Sequence, residues 1–239
     1  MGLIKKLSPL PGIIPAIDVI DLNKYFEITE KLCNCEGVAA LKIGSLPVCE
    51  YGFKKVAGVP GLKIYDAQKG ASDIPYIVAR QVRQVARYGF IGIIGNPLGA
   101  GRKTLETFVE ECFKENIIPI IVVEMSHEDA LSYSSQKKAE QLAKDFAEMG
   151  GKYIVAPATR PKRIEIYKKI GERFGNGFYV ISPGIGPQKT GNVIKDAYDA
   201  IIHGADYVII GRAIYKSPNP ETVVKEIYKS ILEAYQNRN

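Results

Sequence analysis

Eight short apolar runs, each followed by an amphipathic stretch, constrain what this chain can fold into more than any other feature. The runs are IIPAID (13–18), VAALKIG (38–44), LKIYDA (62–67), FIGIIG (90–95), IPIIVVE (118–124), YIVAP (153–157), FYVISPG (178–184) and YVIIG (207–211). Stretches between them, such as KTLETFVEECFKEN and AEQLAKDFAEMGG, space their apolar residues three and four apart and close near Gly or Asn. That is the pattern of a helix that buries one face and stops at a residue tolerant of left-handed backbone. Strand followed by helix, eight times without a long linker or low-complexity break, predicts an α/β fold: a single-domain (β/α)8 TIM barrel over residues 1–239. An open doubly wound sheet is the competing architecture, but no GxGxxG follows the first run to build a dinucleotide site.

With 239 residues and 46% hydrophobic content, the chain is long enough to bury one large core. Its 32 Lys+Arg against 26 Asp+Glu give a net charge of +6, which favours anionic partners in general. The basic residues are scattered, and even RPKRIEIYKK (160–169) reads as a solvated helix face, so no nucleic-acid partner is expected. The cysteines, Cys33, Cys35, Cys49 and Cys112, lack zinc spacing, and Cys33-x-Cys35 is too short for a redox CxxC motif. They read as thiols of a reducing cytosol. The segment MGLIKKLSPLPG has no apolar signal core, and the longest apolar run, near Ile117–Val123, contains Pro119. That run falls well short of the ~20 residues a bilayer span needs, so a cytoplasmic protein with no membrane partner is expected. His127 and His203 are not needed as general bases, and the 14 tyrosines are assigned to packing between helices and barrel.

A barrel of this kind builds its site at the C-terminal ends of the strands, and the polar residues found there form a consistent set. They are Asp18; Lys42; Asp66, with Lys69 and Asp73 just beyond; Glu124-Met125-Ser126; the loop Pro183–Gln188; and Gly211-Arg212. An aspartate at a strand end is often a helix cap, but Asp21 is the better cap for the helix that follows Asp18. A lysine inside VAALKIG must be desolvated unless it is paired, and Asp66 on the adjacent run is the natural partner. At ~4 Å and an effective dielectric of ~20 such a pair gains on the order of 4 kcal/mol of attraction before desolvation is subtracted. In SPGIGPQ, Gly184 and Gly186 let backbone N–H groups approach an anion, and the loop leads into a helix N-terminus that favours negative charge. Arg212 adds a guanidinium that fits phosphate oxygens bidentately. Placed after the last two strands, these elements match the phosphate position of such barrels.

These residues together resemble the orotidine 5′-phosphate decarboxylase family, whose members convert orotidine 5′-phosphate (OMP) to UMP and CO2 in pyrimidine synthesis. The resemblance runs over nearly the whole chain: AID, LKIG, D…K…DIP, EMSH, PGIGPQ and GADYVIIGRAI. It implies a catalytic set of Lys42, Asp66, Lys69 and Asp73. Asp66 is expected against the substrate carboxylate, Lys69 at the carbon that loses CO2, and Lys42 between Asp66 and the ribose. It places Asp18 on a ribose hydroxyl and Ser126 on the pyrimidine edge. Gln188, Gly211 and Arg212 are expected on the phosphate, with Pro183, Gly184 and Gly186 in the same substrate-binding loop. Asp73, with Ile74 beside it, is expected to reach the ribose region of a neighbouring subunit's site, which makes a homodimer part of the mechanism. The family uses no metal and no organic cofactor. The segment 184–192 is the expected lid.

The chemistry explains why such residues belong together. Loss of CO2 from a ring carbon leaves electron density that the ring cannot delocalise well, so an ammonium at that carbon stabilises the transition state selectively. One departure bears on geometry: the family spacing D-x-K-x-x-D is widened by one residue in each interval, giving Asp66-Ala-Gln-Lys69 and Lys69-Gly-Ala-Ser-Asp73. Residues three apart on a strand face opposite sides, so a bulge or early turn is expected after Asp66, and Gln68 with Gly70 would permit one. Ile77 also stands where many relatives have Thr. Two further readings are a magnesium-dependent sugar-phosphate decarboxylase or aldolase on the same scaffold, as in the keto-gulonate phosphate decarboxylases, and a non-catalytic nucleotide-phosphate binding barrel.

Overall fold

Each apolar run forms a strand in the computed structural model, which describes residues 6–238 except 69, 133 and 176. The strands are β1 (Gly12–Pro15), β2 (Leu41–Ile43), β3 (Lys63–Asp66), β4 (Gly92–Gly95), β5 (Ile118–Val122), β6 (Tyr153–Val155), β7 (Tyr179–Ser182) and β8 (Tyr207–Ile210). The helices are α1 (Leu22–Leu32), α2 (Ser45–Val56), α3 (Pro75–Arg87), α4 (Arg102–Lys114), α5 (Gln136–Glu148), α6 (Pro161–Arg173), α7 (Val193–Ile202), the short α8 (Arg212–Tyr215) and α9 (Pro220–Arg238). All ladders are parallel, in the order β1-β8-β7-β6-β5-β4-β3-β2. Single bridges Ile13–Val38 and Ala16–Lys42 bring β1 to β2, and the Ile17 N–H donates to Lys42 O at 2.9 Å. The result is the expected (β/α)8 barrel.

The strands are shorter than the runs that announced them. β1 ends at Pro15, so Asp18 lies in the loop beyond it, and Glu124 likewise follows β5. Hydrophobic runs report burial, which continues past the last ladder bond; strand assignment needs the bond itself.

Side chains alternate between two cores, as the period of two requires. Ile14, Ile64, Ile94, Ile120 and Ile181 point into the barrel. Ile13, Ile43, Ile93, Ile121 and Val208 point outward, against helix residues such as Val78, Phe108, Phe146 and Ile227. At the N-terminal end the barrel is floored by tyrosines: Tyr153 stacks on Tyr179 with ring centroids 4.9 Å apart, and Tyr207 donates its hydroxyl to Leu7 O at 2.8 Å. All four cysteines are free thiols, with Cys112 buried and Cys49 exposed. No helix among the described residues is long and apolar enough to cross a membrane.

The run 160–169 differs from its expected solvated face. Arg163 is buried against Glu124 and Glu140, and Lys168 pairs with buried Asp206 at 3.0 Å. Their acidic partners come from other elements, so spacing within the run could not reveal them.

Candidate active site

At the C-terminal ends of the strands the barrel opens into a cavity of about 650 Å³. One wall is built by β2 and β3. Their register pairs Lys42 with Ile64, so Asp66, two residues further along, projects from the same face nearer the mouth. Lys42 Nζ lies 2.7 Å from Asp66 Oδ2, which is the pairing that its position in an apolar strand demanded. Lys42 is 5% exposed. Burial alone would lower the ammonium's pKa, but attraction to Asp66 and Asp18 and the hydrogen bond to Asp66 outweigh it and hold the pKa above the ordinary lysine value. The second Asp66 oxygen accepts the Gln68 N–H at 3.0 Å.

Asp18 completes this wall. Asp21, not Asp18, caps α1 by accepting the Lys24 N–H at 2.8 Å, which leaves Asp18 facing the cavity. Among the described residues its buried Oδ1 has no hydrogen-bond partner. Gly44 is what lets Asp18 sit there, because a Cβ at that position would come within 2.5 Å of Asp18 Oδ1.

The opposite wall comes from the loops after β5, β7 and β8. Ser126 Oγ donates to Gln188 Oε1 at 3.0 Å, tying two of these loops across the mouth. The Thr159 hydroxyl donates to Ser126 O at 2.9 Å, and the Arg160 guanidinium donates to Met125 O, so the chain around Ser126 is held from below. Gly184 has φ 92°, and a Cβ there would meet Thr159 and Ser126 at 3.0 and 3.1 Å. Glycine is therefore required both by backbone conformation and by the close approach of the loops. Gly211 and Arg212 line the remaining side.

Of the residues anticipated from sequence, Asp18, Lys42, Asp66, Ser126, Pro183, Gly184, Gln188, Gly211 and Arg212 share this cavity. Lys69 lies outside the described residues. Asp73 and Ile74 are exposed and do not line the cavity; the Asp73 carboxylate accepts the Ile74 N–H at 2.6 Å, directly before α3. Gly186 is also off the lining, since its N–H donates to buried Asp196 at 2.9 Å and not toward the cavity. The helix N-terminus expected to face the anion is displaced as well: α7 begins only at Val193, capped by Asn192, and none of its described residues reaches the lining.

The anticipated turn after Asp66 is present. Gly70 N–H bonds Ala67 O at 2.9 Å, and the left-handed positions are Gln68 (φ 44°) and Ala71 (φ 59°). Gln68, which had been noted only as permitting the turn, lines the cavity and accepts the Ser45 N–H at 3.0 Å, fastening the loop to the start of α2. Tyr215 was missed, although it lies three residues after Arg212, one helical turn along the same face. Glu124 touches the cavity but is consumed by Arg160, Arg163 and Tyr167.

Comparison with known proteins identifies the family of the chain. Residues 11–227 match the model of the Orotidine 5'-phosphate decarboxylase / HUMPS family. The chain is 37% identical over 224 residues to an orotidine 5'-phosphate decarboxylase of Pyrococcus abyssi, covering 92% of this chain and 98% of that protein. It is 33% identical over 218 residues to one of Methanosarcina acetivorans, covering 91% and 93%. Its fold is similar to the crystal structure of the orotidine 5'-monophosphate decarboxylase of Methanocaldococcus jannaschii complexed with the inhibitor BMP. There the TM-score is 0.79 at 30% identity, covering 93% of this chain and 99% of that one. Matched along nearly its whole length in sequence and in fold, the chain belongs to the orotidine 5'-phosphate decarboxylase / HUMPS family.

Proposed function

We propose that this chain is a carbon-carbon lyase that decarboxylates orotidine 5′-phosphate to UMP and CO2, a step of pyrimidine biosynthesis. The observation that carries the reading is the buried Lys42–Asp66 pair, 2.7 Å long, beside an Asp18 oxygen with no partner among the described residues and facing Ser126, Gln188 and Arg212 across one cavity. The family covers other phosphorylated substrates, but the similar curated proteins that span nearly the whole chain are orotidine 5'-phosphate decarboxylases.

In this reading the phosphate sits by Gln188, Gly211 and Arg212, and the pyrimidine edge meets Ser126. Asp18 accepts a hydrogen bond from a ribose hydroxyl, which would give its buried Oδ1 a partner that the described residues do not supply. Asp66 stands against the substrate carboxylate and disfavours its charge in the ground state, while the ion pair to Lys42 holds Asp66 in place. Lys69 supplies the ammonium that meets the developing carbanion and then protonates it. Fixing these charges before the reaction avoids reorganising solvent during it, which is where such sites gain most.

A homodimer is part of the proposal. Asp73 leads into a surface where Ile74 and Tyr76 are 61% and 62% exposed, apolar area suited to cover by a second copy whose ribose region Asp73 would approach. A cytosolic setting accords with four free thiols.

The test is conversion of OMP to UMP, followed by ultraviolet absorbance with EDTA present, for the wild type and for Lys69→Ala. Turnover abolished in the variant supports the reading. Turnover that depends on added magnesium, or activity only on sugar phosphates, would replace it with the sugar-phosphate enzyme. Tight UMP binding without turnover would leave a binding barrel.

A further inference from the structure

Asp196 lies in the first turn of α7, is fully buried, and is not part of the cavity. Its Oδ2 accepts the N–H of Gly186 at 2.9 Å and the N–H of Thr190 at 3.2 Å. Its Oδ1 accepts the Thr190 hydroxyl at 2.7 Å. One carboxylate therefore grips both ends of the segment 186–190, whose middle residues Pro187 and Gln188 face the cavity. The segment closes on itself as well, because the N–H groups of Lys189 and Gly191 both donate to Gly186 O, at 2.8 and 3.0 Å. Lys189 leans to the same side, 3.2 Å from Asp199 and 4.0 Å from Asp196.

We propose that Asp196 is a positioning residue for substrate binding: it staples the loop 186–190 into the shape that presents Gln188 to the substrate phosphate. The inference rests on the reading of this loop as the phosphate site. It also reassigns Gly186, whose N–H belongs to the staple and not to the anion, and it limits any closing motion of the loop to a movement of the stapled unit as a whole. A carboxylate suits the task because it accepts all three donors at once. An amide serves less well: with its oxygen on the two backbone N–H groups its NH2 faces the Thr190 hydroxyl, which must stop donating, and the charge that strengthens all three bonds is gone. Once the staple is lost the loop relaxes, and a shift of about 1 Å is enough to spoil hydrogen bonds to a ligand.

The test measures the affinities of UMP and uridine for the wild type, Asp196→Asn, Thr190→Val and Arg212→Ala. Asp196→Asn is expected to weaken UMP by about tenfold or more while uridine stays within about twofold, a selective loss of roughly 1.4 kcal/mol. Thr190→Val removes the hydroxyl's bond to Asp196 together with its acceptance of the Asn192 N–H at 3.2 Å, and keeps the buried carboxylate. It should show the same selectivity at about threefold, and it decides the matter if Asp196→Asn does not fold. Equal losses for UMP and uridine, or unchanged UMP affinity in a folded variant, would overturn the proposal. Arg212→Ala separates the two levels: if it leaves UMP binding intact, the phosphate is not held here and the underlying reading fails. A loss in Arg212→Ala without one in Asp196→Asn or Thr190→Val would overturn the staple alone.

Discussion

Glu124 and Asp66 both stand at the mouth of the barrel, both touch the same cavity and both bind a cation, yet their surroundings differ. Glu124 is 2% exposed in its side chain and has each oxygen engaged: Oε1 with Arg160 at 2.6 Å, Oε2 with Arg163 at 2.9 Å and with the Tyr167 hydroxyl at 2.9 Å. Among the described residues Asp66, 19% exposed, meets one lysine and one backbone N–H, and neighbouring Asp18 keeps a buried oxygen with no partner. A carboxylate saturated by the protein has little left to give a ligand. One that is underserved is poised to gain a partner when a ligand arrives, at some cost to the empty protein's stability. Carboxylates at one barrel mouth thus divide between those spent on holding the loops and those left open toward the cavity.

Substitutions that separate stability from activity sharpen this contrast. The largest effect is expected for Lys42→Met. The kcat/KM for OMP should fall by about 10³-fold, while the melting temperature drops only modestly, because the Asp66 carboxylate left without its ammonium is 19% exposed and can be solvated. Glu124→Gln should do the reverse. With Arg163 left buried and poorly compensated it should lose about 3 kcal/mol, or roughly 6–12 °C in Tm, while kcat at low temperature stays within about threefold of the wild type. A kcat loss in Glu124→Gln as deep as that of Lys42→Met, in folded protein, would break the contrast and bring Glu124 into the chemistry. Asp18→Ala is expected to weaken UMP by about tenfold while leaving stability within about 1 kcal/mol, since it removes a polar atom without a partner among the described residues but also an attraction to Lys42; chemical denaturation beside a binding titration reads both.

The smallest effect is on pH dependence. The folded pKa of Lys42 is raised above the ordinary lysine value. Its contribution to stability is therefore fully present below that value and is lost only as pH rises through the raised one. The difference in stability between wild type and Lys42→Met should stay flat from about pH 7 to 9.5 and turn against the wild type only in more alkaline solution. A change near neutral pH would mean that the pair does not hold the ammonium as described.

The barrel was legible because its signal is local. Eight apolar runs separated by helical periodicity need no knowledge of what packs where, and the barrel itself then locates the mouth. The Lys42–Asp66 pair was legible for a different reason: a lysine in an apolar strand must find a carboxylate, and the next strand ends in one. The limits were also physical. Arg163 read as a solvated residue because its partners Glu124 and Glu140 lie 39 and 23 positions away. Gly186 read as an anion donor because its competing acceptor, Asp196, belongs to the following helix. Strand ends were overextended because burial outlasts the ladder.

What the sequence by itself determined is therefore the architecture, the end of the barrel that carries chemistry, and the residue types gathered there, all of which follow from periodicity and from the cost of burying a lone charge. The tertiary structure alone decided which of those charges are spent on holding loops and which remain open to a ligand. It placed Gln68 in the cavity through a left-handed turn, and it passed the Gly186 N–H to Asp196. Hydrogen-bond saturation depends on every donor within about 3 Å, and those donors come from residues that the chain separates and only the fold brings together.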